Sequence, residues 1–307
     1  MIGAAGDVGR GVPGTLRGRF ELIIFDWDGT AVPGRTAAVP RLNAAMASLL
    51  DAGMWLAPVT GTNVDHLERQ SIREIAPRSR GRLRICTNRG SEVWSYDVAG
   101  ERVALYQRIA SPAEEVLLTR AAEGLREWLA ERGVASRIVY DRLNRRKIDL
   151  IPLLEWSDPP KAQISALIAA TTRRLQAVGI ERIGEVMRLA SAIAHDCGLT
   201  DPRVTSDGKY VEVGLTDKSE SIAWIFEHVV RPNAIAPEEI LIAGDEFGDV
   251  GGFAGSDERM ITPDTSGVRK VSVGSEPNGV PAGLVHLPGG PDAFLSILQW
   301  QLALRTR

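Results

Sequence analysis

One apolar run that ends in acidic residues decides the fold, and it reads Glu21-Leu22-Ile23-Ile24-Phe25-Asp26-Trp27-Asp28-Gly29-Thr30. Its four consecutive apolar residues, two of them β-branched isoleucines, predict a strand that is buried on both faces of a parallel sheet. Asp26 and Asp28 follow at the carboxyl end of this strand, which is the edge where open α/β sheets bind ligands. A strand followed by an ordinary Asp-Gly turn is the alternative that this stretch alone leaves open.

The two acids of this stretch predict a bound cation. Asp26 and Asp28 are one residue apart, so their charges repel each other, and a cation between or beside them relieves that repulsion. Carboxylate oxygens without a nearby cluster of cysteine or histidine suit magnesium. We therefore expect Mg2+ as the cofactor.

Two further apolar strands are expected to end in small polar or acidic residues. Residues 54–59 precede Thr60-Gly61-Thr62-Asn63, where Asn63 is expected to cap the following helix. The Thr60 hydroxyl and the first amides of that helix are suited to hold one phosphate oxygen, and a turn with a helix cap is the simpler alternative. Residues 239–243 predict the other strand, which is followed by Gly244-Asp245-Glu246-Phe247-Gly248-Asp249.

The alternation of strands and helices is interrupted in the middle of the chain. From about Ser91 the pattern predicts a hairpin around residues 99–100, then helices and short strands up to Val213. We expect an α+β domain inserted between the two halves of an α/β domain. The predicted division is a flexible leader over 1–18, core over 19–90, insert over 91–214 and core over 215–307. Residues 259–261 are predicted to form a short edge strand.

The composition argues against several classes of protein. The chain has 307 residues, of which 44% are hydrophobic and 24% charged, as in a globular enzyme, and its net charge of −3 does not favour nucleic acid or an anionic membrane. Cys86 and Cys197 form no C-x-x-C pair, so neither a zinc site nor a disulfide framework is expected. No apolar run approaches the roughly 18 residues of a membrane span, and the N-terminal segment lacks the apolar stretch of a signal peptide. We therefore expect a cytoplasmic protein that binds neither nucleic acid nor membrane.

The expected strand ends supply the parts that phosphoryl transfer requires. These parts are a nucleophile, an acid–base group, a divalent metal and cations around the phosphoryl oxygens. A carboxylate nucleophile divides one difficult displacement into two easier ones through an aspartyl-phosphate. The candidate residues are Asp26, Asp28, Thr60, Lys218, Asp245 and Asp249.

These residues resemble the motifs of the haloacid dehalogenase superfamily of phosphohydrolases, in the same order along the chain. The matching positions are Asp26-Trp27-Asp28-Gly29-Thr30, Thr60, Lys218 and Gly244-Asp245-Glu246-Phe247-Gly248-Asp249. The insert resembles the larger cap class found in trehalose-phosphate phosphatase, sucrose-phosphate phosphatase and phosphomannomutase. The resemblance extends from about Arg19 to the C-terminus and implies an α/β fold, a Rossmann-like parallel-sheet core with an inserted α+β cap.

The resemblance also implies a role for each residue. Asp26 would be the nucleophile, and Asp28 would protonate the leaving oxygen and then activate the water that hydrolyses the intermediate. Thr60 and Lys218 would bind phosphoryl oxygens, with Gly61 as a further substrate contact. Magnesium would be held by the Asp26 carboxylate, the Asp28 main-chain carbonyl and Asp245, with Asp249 adjacent.

Substrate recognition is expected from the cap, which would close over the site and exclude water. Its polar clusters lie at residues 142–147 and 207–212. The candidates for substrate binding in these clusters are Arg142, Arg145, Lys209 and Glu212. A basic turn that is simply solvated is the alternative for the first cluster.

The expected function is that of a magnesium-dependent phosphatase that hydrolyses a phosphorylated sugar or a similar small metabolite. A sugar phosphomutase of the same superfamily is an alternative, because residues 142–147 would offer it a second phosphate site. A catalytically silent sugar-phosphate-binding domain is a third hypothesis, and it is disfavoured because a binding module has no need of an acid–base residue such as Asp28. The expected partner is a small phosphorylated molecule.

Overall fold

A computed structural model describes the protein over residues 11–157 and 163–306. The strands in these ranges are β1 (Leu22–Asp26), β2 (Trp55–Val59), β3 (Ile85–Thr87), β4 (Glu92–Tyr96), β5 (Arg102–Gln107), β6 (Arg137–Arg142), β7 (Arg145–Asp149), β8 (Arg203–Ser206), β9 (Tyr210–Gly214), β10 (Ile240–Gly244), β11 (Arg269–Ser272) and β12 (Val285–His286). The α-helices are α1 (Pro40–Asp51), α2 (Val64–Gln70), α3 (Pro112–Glu131), α4 (Ile164–Gln176), α5 (Ile183–Asp196), α6 (Lys218–Ile225) and α7 (Gly290–Arg305).

The larger sheet has β1 near its centre. Its eight strands lie in the order β12-β11-β10-β1-β2-β3-β4-β5. Neighbours from β12 to β3 are parallel, and β4 and β5 continue the sheet in antiparallel fashion. All five residues of β1 are buried. Ile23 and Phe25 pack in the core that includes α1 and α7, whereas Leu22 and Ile24 pack in the core that includes α6, so the predicted burial of this strand on both faces is confirmed.

The smaller sheet is antiparallel and is formed by the chain between β5 and α6. Its four strands lie in the order β6-β7-β9-β8. Apolar residues of α3 and α5 pack against this sheet in a separate hydrophobic core. The structure therefore confirms an α/β core, largely parallel, that carries an α+β insert.

The hairpin of β4 and β5 corrects one part of the predicted division. We expected residues from 91 onward to belong to the insert, but β4 pairs with β3 and thereby extends the larger sheet. The change from parallel to antiparallel pairing marks the edge of the core sheet. The strands of the smaller sheet begin later, with β6.

The N-terminal segment corrects another expectation. Residues 1–10 of the expected leader lie outside the described residues. For residues 11–18 the expectation of a flexible leader is wrong, because Val12 and Leu16 are buried in the core that includes α1 and α7. Gln301 of α7 also fixes this segment, since its Nε2 donates to the Gly18 carbonyl at 2.7 Å.

The predicted edge strand over residues 259–261 is wrong as well. This stretch lies at the end of a 3-10 helix, Ser256–Met260. Met260 is buried while Arg259 and Ile261 are exposed, and the Ile261 amide donates to the Glu258 carbonyl at 2.8 Å, as in a helical turn. The same helix carries Asp257, which is buried.

The structure also bears on the two cysteines and on membrane-spanning helices, about which the composition gave expectations. Cys86 and Cys197 are both free thiols. Nowhere in residues 11–157 and 163–306 does a helix combine the length and the apolar character that a membrane crossing requires.

Candidate active site

Acidic side chains meet at the carboxyl ends of β1 and β10. The two strands are parallel neighbours, with Phe25 opposite Ala243, so the residues that follow each strand lie side by side. Asp26, Asp245 and Asp257 each offer a carboxylate oxygen within 4.8 Å of the others. Asp26 and Asp257 are buried. We refer to these three residues as the acidic triad.

Lys218 places a positive charge in the acidic triad. It is the first residue of α6, after Asp217, which caps the helix by accepting from the Ser219 amide at 2.8 Å. Its Nζ donates to Asp26 Oδ1 and to Asp257 Oδ1, each at 2.6 Å. Burial alone would lower the pKa of Lys218, but the carboxylates of Asp257 and Asp26 outweigh it and raise the pKa above its usual value. This lysine therefore stays protonated.

Two buried carboxylates hold the loop that follows β10. Asp257 Oδ2 accepts from the amides of Asp245 and Glu246, at 2.8 and 2.9 Å. Glu276 accepts from the next two amides, those of Phe247 and Gly248, at 2.8 and 2.9 Å. Four consecutive amides are thus bound by carboxylates that lie elsewhere in the sequence, and this fixes the position of Asp245.

The loop after β1 presents Asp28 and fixes Asp245 from the other side. Asp28 Oδ1 is buried, and no hydrogen-bond partner reaches it within the described residues. Thr30 Oγ1 donates to Asp245 Oδ1 at 3.1 Å. Gly29 has φ +96°, and a methyl group on its Cα would overlap the Asp245 carboxylate. The loop therefore requires glycine here for both its backbone and its space.

Trp27 lies between the two aspartates in sequence but not in space. Its ring is fully buried beside Phe25, at 6.3 Å between ring centroids, on the face of β1 opposite to Asp26. Its Nε1 donates to Gln70 Oε1 at 2.9 Å. Gln70 Nε2 in turn donates to the carbonyls of Gly34 and Ala37, so the buried tryptophan anchors the loop after β1.

The Thr60 loop follows β2 at the same edge of the sheet. Thr60 is buried, and its hydroxyl accepts from the Thr62 amide at 3.2 Å. Asn63 caps α2 by accepting from the His66 amide at 3.0 Å, which confirms the predicted cap. The space beside Gly61 is taken by the side chain of Arg89, about which the sequence patterns gave no indication.

A cavity of about 580 Å3 lies over these strand ends. Residues of both the core and the insert line this cavity. From the core it includes Asp26, Asp28, Thr60, Gly61, Arg89 and Lys218, and from the insert it includes Lys147, Asp207, Lys209 and Tyr210. The insert therefore covers the site, as a cap would.

The candidate residues of the insert are not equivalent. Lys209 lines the cavity, and its Nζ lies 3.4 Å from Asp149 Oδ2 and donates to the Trp156 carbonyl. Arg142 is exposed, and neither it nor Arg145 is among the described residues that line the cavity.

Glu212 is the centre of a buried charge cluster. Its carboxylate is bound by Lys147 Nζ at 2.7 Å, by Arg89 Nε at 3.0 Å and by Arg145 Nη1 at 3.2 Å. Burial alone would raise the pKa of Glu212, but Arg89, Lys147 and Arg145 hold it well below its ordinary value. The Glu212 carboxylate therefore stays ionised. Burial in the same cluster lowers the pKa of Arg145 to about 10.

The structure does not bring Asp249 into the acidic triad. Asp249 is exposed, and its Oδ1 accepts from the Gly252 amide at 2.8 Å. Asp257 stands in the triad in its place, on the 3-10 helix Ser256–Met260, just before the residues that were predicted as a strand. Its spacing of 12 residues from Asp245 matched none of the motifs, so no sequence signal indicated it.

Similarity to solved structures extends over nearly the whole chain, although no family model and no curated protein matches the sequence. N-terminally truncated, IMP-bound Plasmodium falciparum IMP-nucleotidase is 11% identical, with a TM-score of 0.58 over 92% of this chain and 68% of that chain. The C-terminal domain of C. albicans trehalose-6-phosphate phosphatase is 17% identical, with a TM-score of 0.57 over 93% of each chain. Both are phosphatases of the haloacid dehalogenase superfamily. The chain has the haloacid dehalogenase fold.

Aspergillus fumigatus trehalose-6-phosphate phosphatase adds a third example of this haloacid dehalogenase fold. It is 15% identical, with a TM-score of 0.53 over 96% of this chain and 97% of that chain. The insert is therefore included in the similarity together with the core. In this chain, the motifs of the haloacid dehalogenase resemblance lie at the carboxyl ends of β1, β2 and β10 and at the start of α6.

Proposed function

We propose that the protein is a magnesium-dependent phosphatase that hydrolyses a phosphorylated sugar or a similar small metabolite through an aspartyl-phosphate. The observation that carries this proposal is the ion pair of Lys218 with Asp26, beside Asp245, on the floor of a cavity covered by the insert. A buried cation beside a buried carboxylate neutralises part of the charge that a phosphoryl group brings. The residues that we propose for catalysis are Asp26, Asp28, Thr60 and Lys218.

Asp26 and Asp28 divide the chemistry between them. An Asp26 oxygen attacks phosphorus, the bond to the leaving oxygen breaks, and the proton of Asp28 passes to that oxygen. Asp28 then takes a proton from water, which displaces phosphate and regenerates the Asp26 carboxylate. The unpartnered Oδ1 of Asp28 suits this role, because no internal hydrogen bond has to break first. Thr60 and Lys218 hold phosphoryl oxygens.

The acidic triad fits a magnesium ion, since it offers hard oxygen donors in a buried site. We propose Asp26, the Asp28 carbonyl and Asp245 as ligands. Both oxygens of Asp257 already accept from Lys218 and from amides, so Asp257 is proposed to orient the ligands. When bound, the ion would neutralise charge on the phosphoryl oxygens.

The insert is proposed to act as the cap that selects the substrate. Because β4 and β5 belong to the core sheet, we place its start after β5 and its end at Gly214. Lys209 and Lys147, with Tyr210 between them, offer cations and a ring to a sugar or another polar leaving group. Gly61 also lines the cavity, beside Arg89.

The decisive experiment is phosphate release from a panel of small phosphorylated compounds, with and without Mg2+. The panel includes trehalose 6-phosphate and IMP, because the similar structures are named for these substrates. We expect metal-dependent release by the wild type and none by Asp26→Asn. Asp264→Asn, which removes an exposed carboxylate elsewhere, is the matched control and should retain release.

Two outcomes would contradict the proposal. Release that Asp26→Asn does not reduce would exclude Asp26 as the nucleophile. Conversion of a sugar phosphate to its isomer without free phosphate would assign the protein as a mutase.

A further inference from the structure

The turn after β3 has an unusual backbone. Three consecutive residues have left-handed φ values, with 51° for Asn88, 54° for Arg89 and 86° for Gly90. Asparagine tolerates this region, but arginine rarely adopts it, and such a backbone is strained. Strain of this kind persists where the surrounding structure imposes it, and it is concentrated at functional sites. The contacts of this turn should therefore show what imposes its conformation.

The turn touches the Thr60 loop and α6. The Asn88 amide donates to the Thr62 carbonyl at 2.9 Å, and the Arg89 amide donates to the Thr60 carbonyl at 3.0 Å. At Gly90 a methyl group would overlap the main-chain carbonyl of Asp217, the residue that caps α6. A displacement of this turn would therefore reach both the Thr60 loop and Lys218.

The strained backbone directs the Arg89 side chain from the core to the insert. Its Nε and Nη2 donate to the two oxygens of Glu212 on β9, at 3.0 and 3.2 Å. The Arg89 side chain is 11% exposed and that of Glu212 is 2% exposed. A two-point contact of this kind fixes both distance and orientation.

Glu212 does not depend on Arg89 for neutralisation. Lys147 and Arg145, which both belong to the insert, remain on its carboxylate if the core and the insert separate. Separation therefore does not leave a buried anion unpaired in the insert, which is the costly outcome for a broken ion pair. Arg89, beside Gly61 at the cavity wall, would become hydrated. Breaking the Arg89–Glu212 pair would therefore leave the Glu212 carboxylate with two cations.

We propose that Arg89 is a positioning residue that fastens the closed insert over the cavity and ties closure to the geometry of the Thr60 loop. The inference goes beyond the assignment of a phosphatase, and only its kinetic test depends on that assignment. Arg89 binds Glu212 in the closed form. In the open form the contact is absent, and the strained turn is free to relax together with the Thr60 loop.

The test compares Arg89→Gln, Glu212→Gln and the double variant with wild type. The matched control is Arg102→Gln, because Arg102 forms its ion pairs with Asp65 and Glu68 within the core. Closure is measured as the distance between spin labels on the exposed positions Arg41 in α1 and Glu127 in α3, each replaced by cysteine. Cys197→Ser removes the less buried native thiol.

We expect the label distances to broaden toward longer values in Arg89→Gln and to remain as in wild type in the control. For a substrate found by the phosphate-release panel, kcat/KM should fall roughly 10- to 100-fold. The double variant should be no worse than the more affected single variant, because both remove the same contact. Arg89→Lys keeps the charge without the two-point contact and should recover part of the loss, which an unfolded variant would not.

The inference is overturned if Arg89→Gln has wild-type label distances, or if its kcat/KM equals that of Arg102→Gln. The label distances need no turnover. A protein that releases no phosphate but opens on loss of Arg89 would therefore contradict the phosphatase assignment and support the closure role.

Discussion

Replacing Asp257 with asparagine tests whether this carboxylate holds Lys218 in the acidic triad. Asp257 is fully buried, with Oδ1 on Lys218 Nζ at 2.6 Å and Oδ2 on the amides of Asp245 and Glu246. An asparagine oxygen at the Oδ2 position keeps both amide bonds. Its NH2 group then faces the ammonium of Lys218. Two hydrogen-bond donors therefore oppose each other where the wild type has an ion pair.

The expected loss of stability follows from these contacts. Breaking a buried ion pair by removing one partner costs about 3–5 kcal/mol. Because Asp26 continues to compensate the ammonium, we expect the lower end, about 3 kcal/mol. With roughly 2 °C per kcal/mol for a chain of this size, Tm should fall by about 6 °C.

Glu276→Gln is the matched control for this experiment. Glu276 is also buried and accepts from two amides of the same loop, but its third partner is the Ser272 hydroxyl, not a lysine. Loss of one amide bond should cost about 1–2 kcal/mol, and Tm should fall by about 3 °C.

Thermal unfolding at pH 7, followed by circular dichroism, measures the two variants. The reasoning is refuted if both variants lower Tm equally, since the lysine pair would then contribute nothing beyond the amide bonds. It is also refuted if Asp257→Asn has the same Tm as the wild type.

Two further predictions follow from the site. Gly29→Ala should raise the Mg2+ concentration needed for half-maximal activity at least tenfold, because a methyl group on Gly29 displaces Asp245. The control is Gly53→Ala, since Gly53 has φ +83° but open space around it. This control variant should change stability alone. Equal metal requirements in the two variants would contradict this. The pKa of Glu212 is lowered in the folded chain, so the unfolded chain binds this proton at a higher pH than the folded chain does. The stability of the wild type should therefore fall as the pH drops below about 4.5. This group should contribute up to about 1.4 kcal/mol per pH unit to that fall. Glu212→Gln should lack this part of the slope in urea unfolding, and parallel curves for the two proteins would be evidence against the buried cluster.

Local patterns in the sequence were sufficient to find the floor of the site. Parallel strands end at one edge of a sheet, so an apolar run that stops in polar residues places those residues there. This reasoning placed Asp26, Asp28 and Thr60 at the cavity and Asp245 beside Asp26, and the motif resemblance added Lys218. The cap at Asn63 was found in the same way, because helix capping depends on a few neighbouring residues.

The same local reasoning misplaced the features that depend on distant partners. Asp249 was named as a metal residue because it ends the motif that begins at Gly244, yet it is Asp257 that meets Lys218 and two amides. The hairpin after β3 was assigned to the insert because antiparallel pairing begins there, while its hydrogen bonds extend the core sheet.

The sequence by itself determined the α/β core, the α+β insert and the sheet edge that carries Asp26, because burial patterns and strand ends are properties of short stretches. Tertiary structure alone decided that Arg89 of the core binds Glu212 of the insert, 123 residues away. It also decided that Asp257 completes the triad. Both are charged contacts between residues that are distant in sequence, and only the packing of the folded chain brings such partners together in a buried, low-dielectric place.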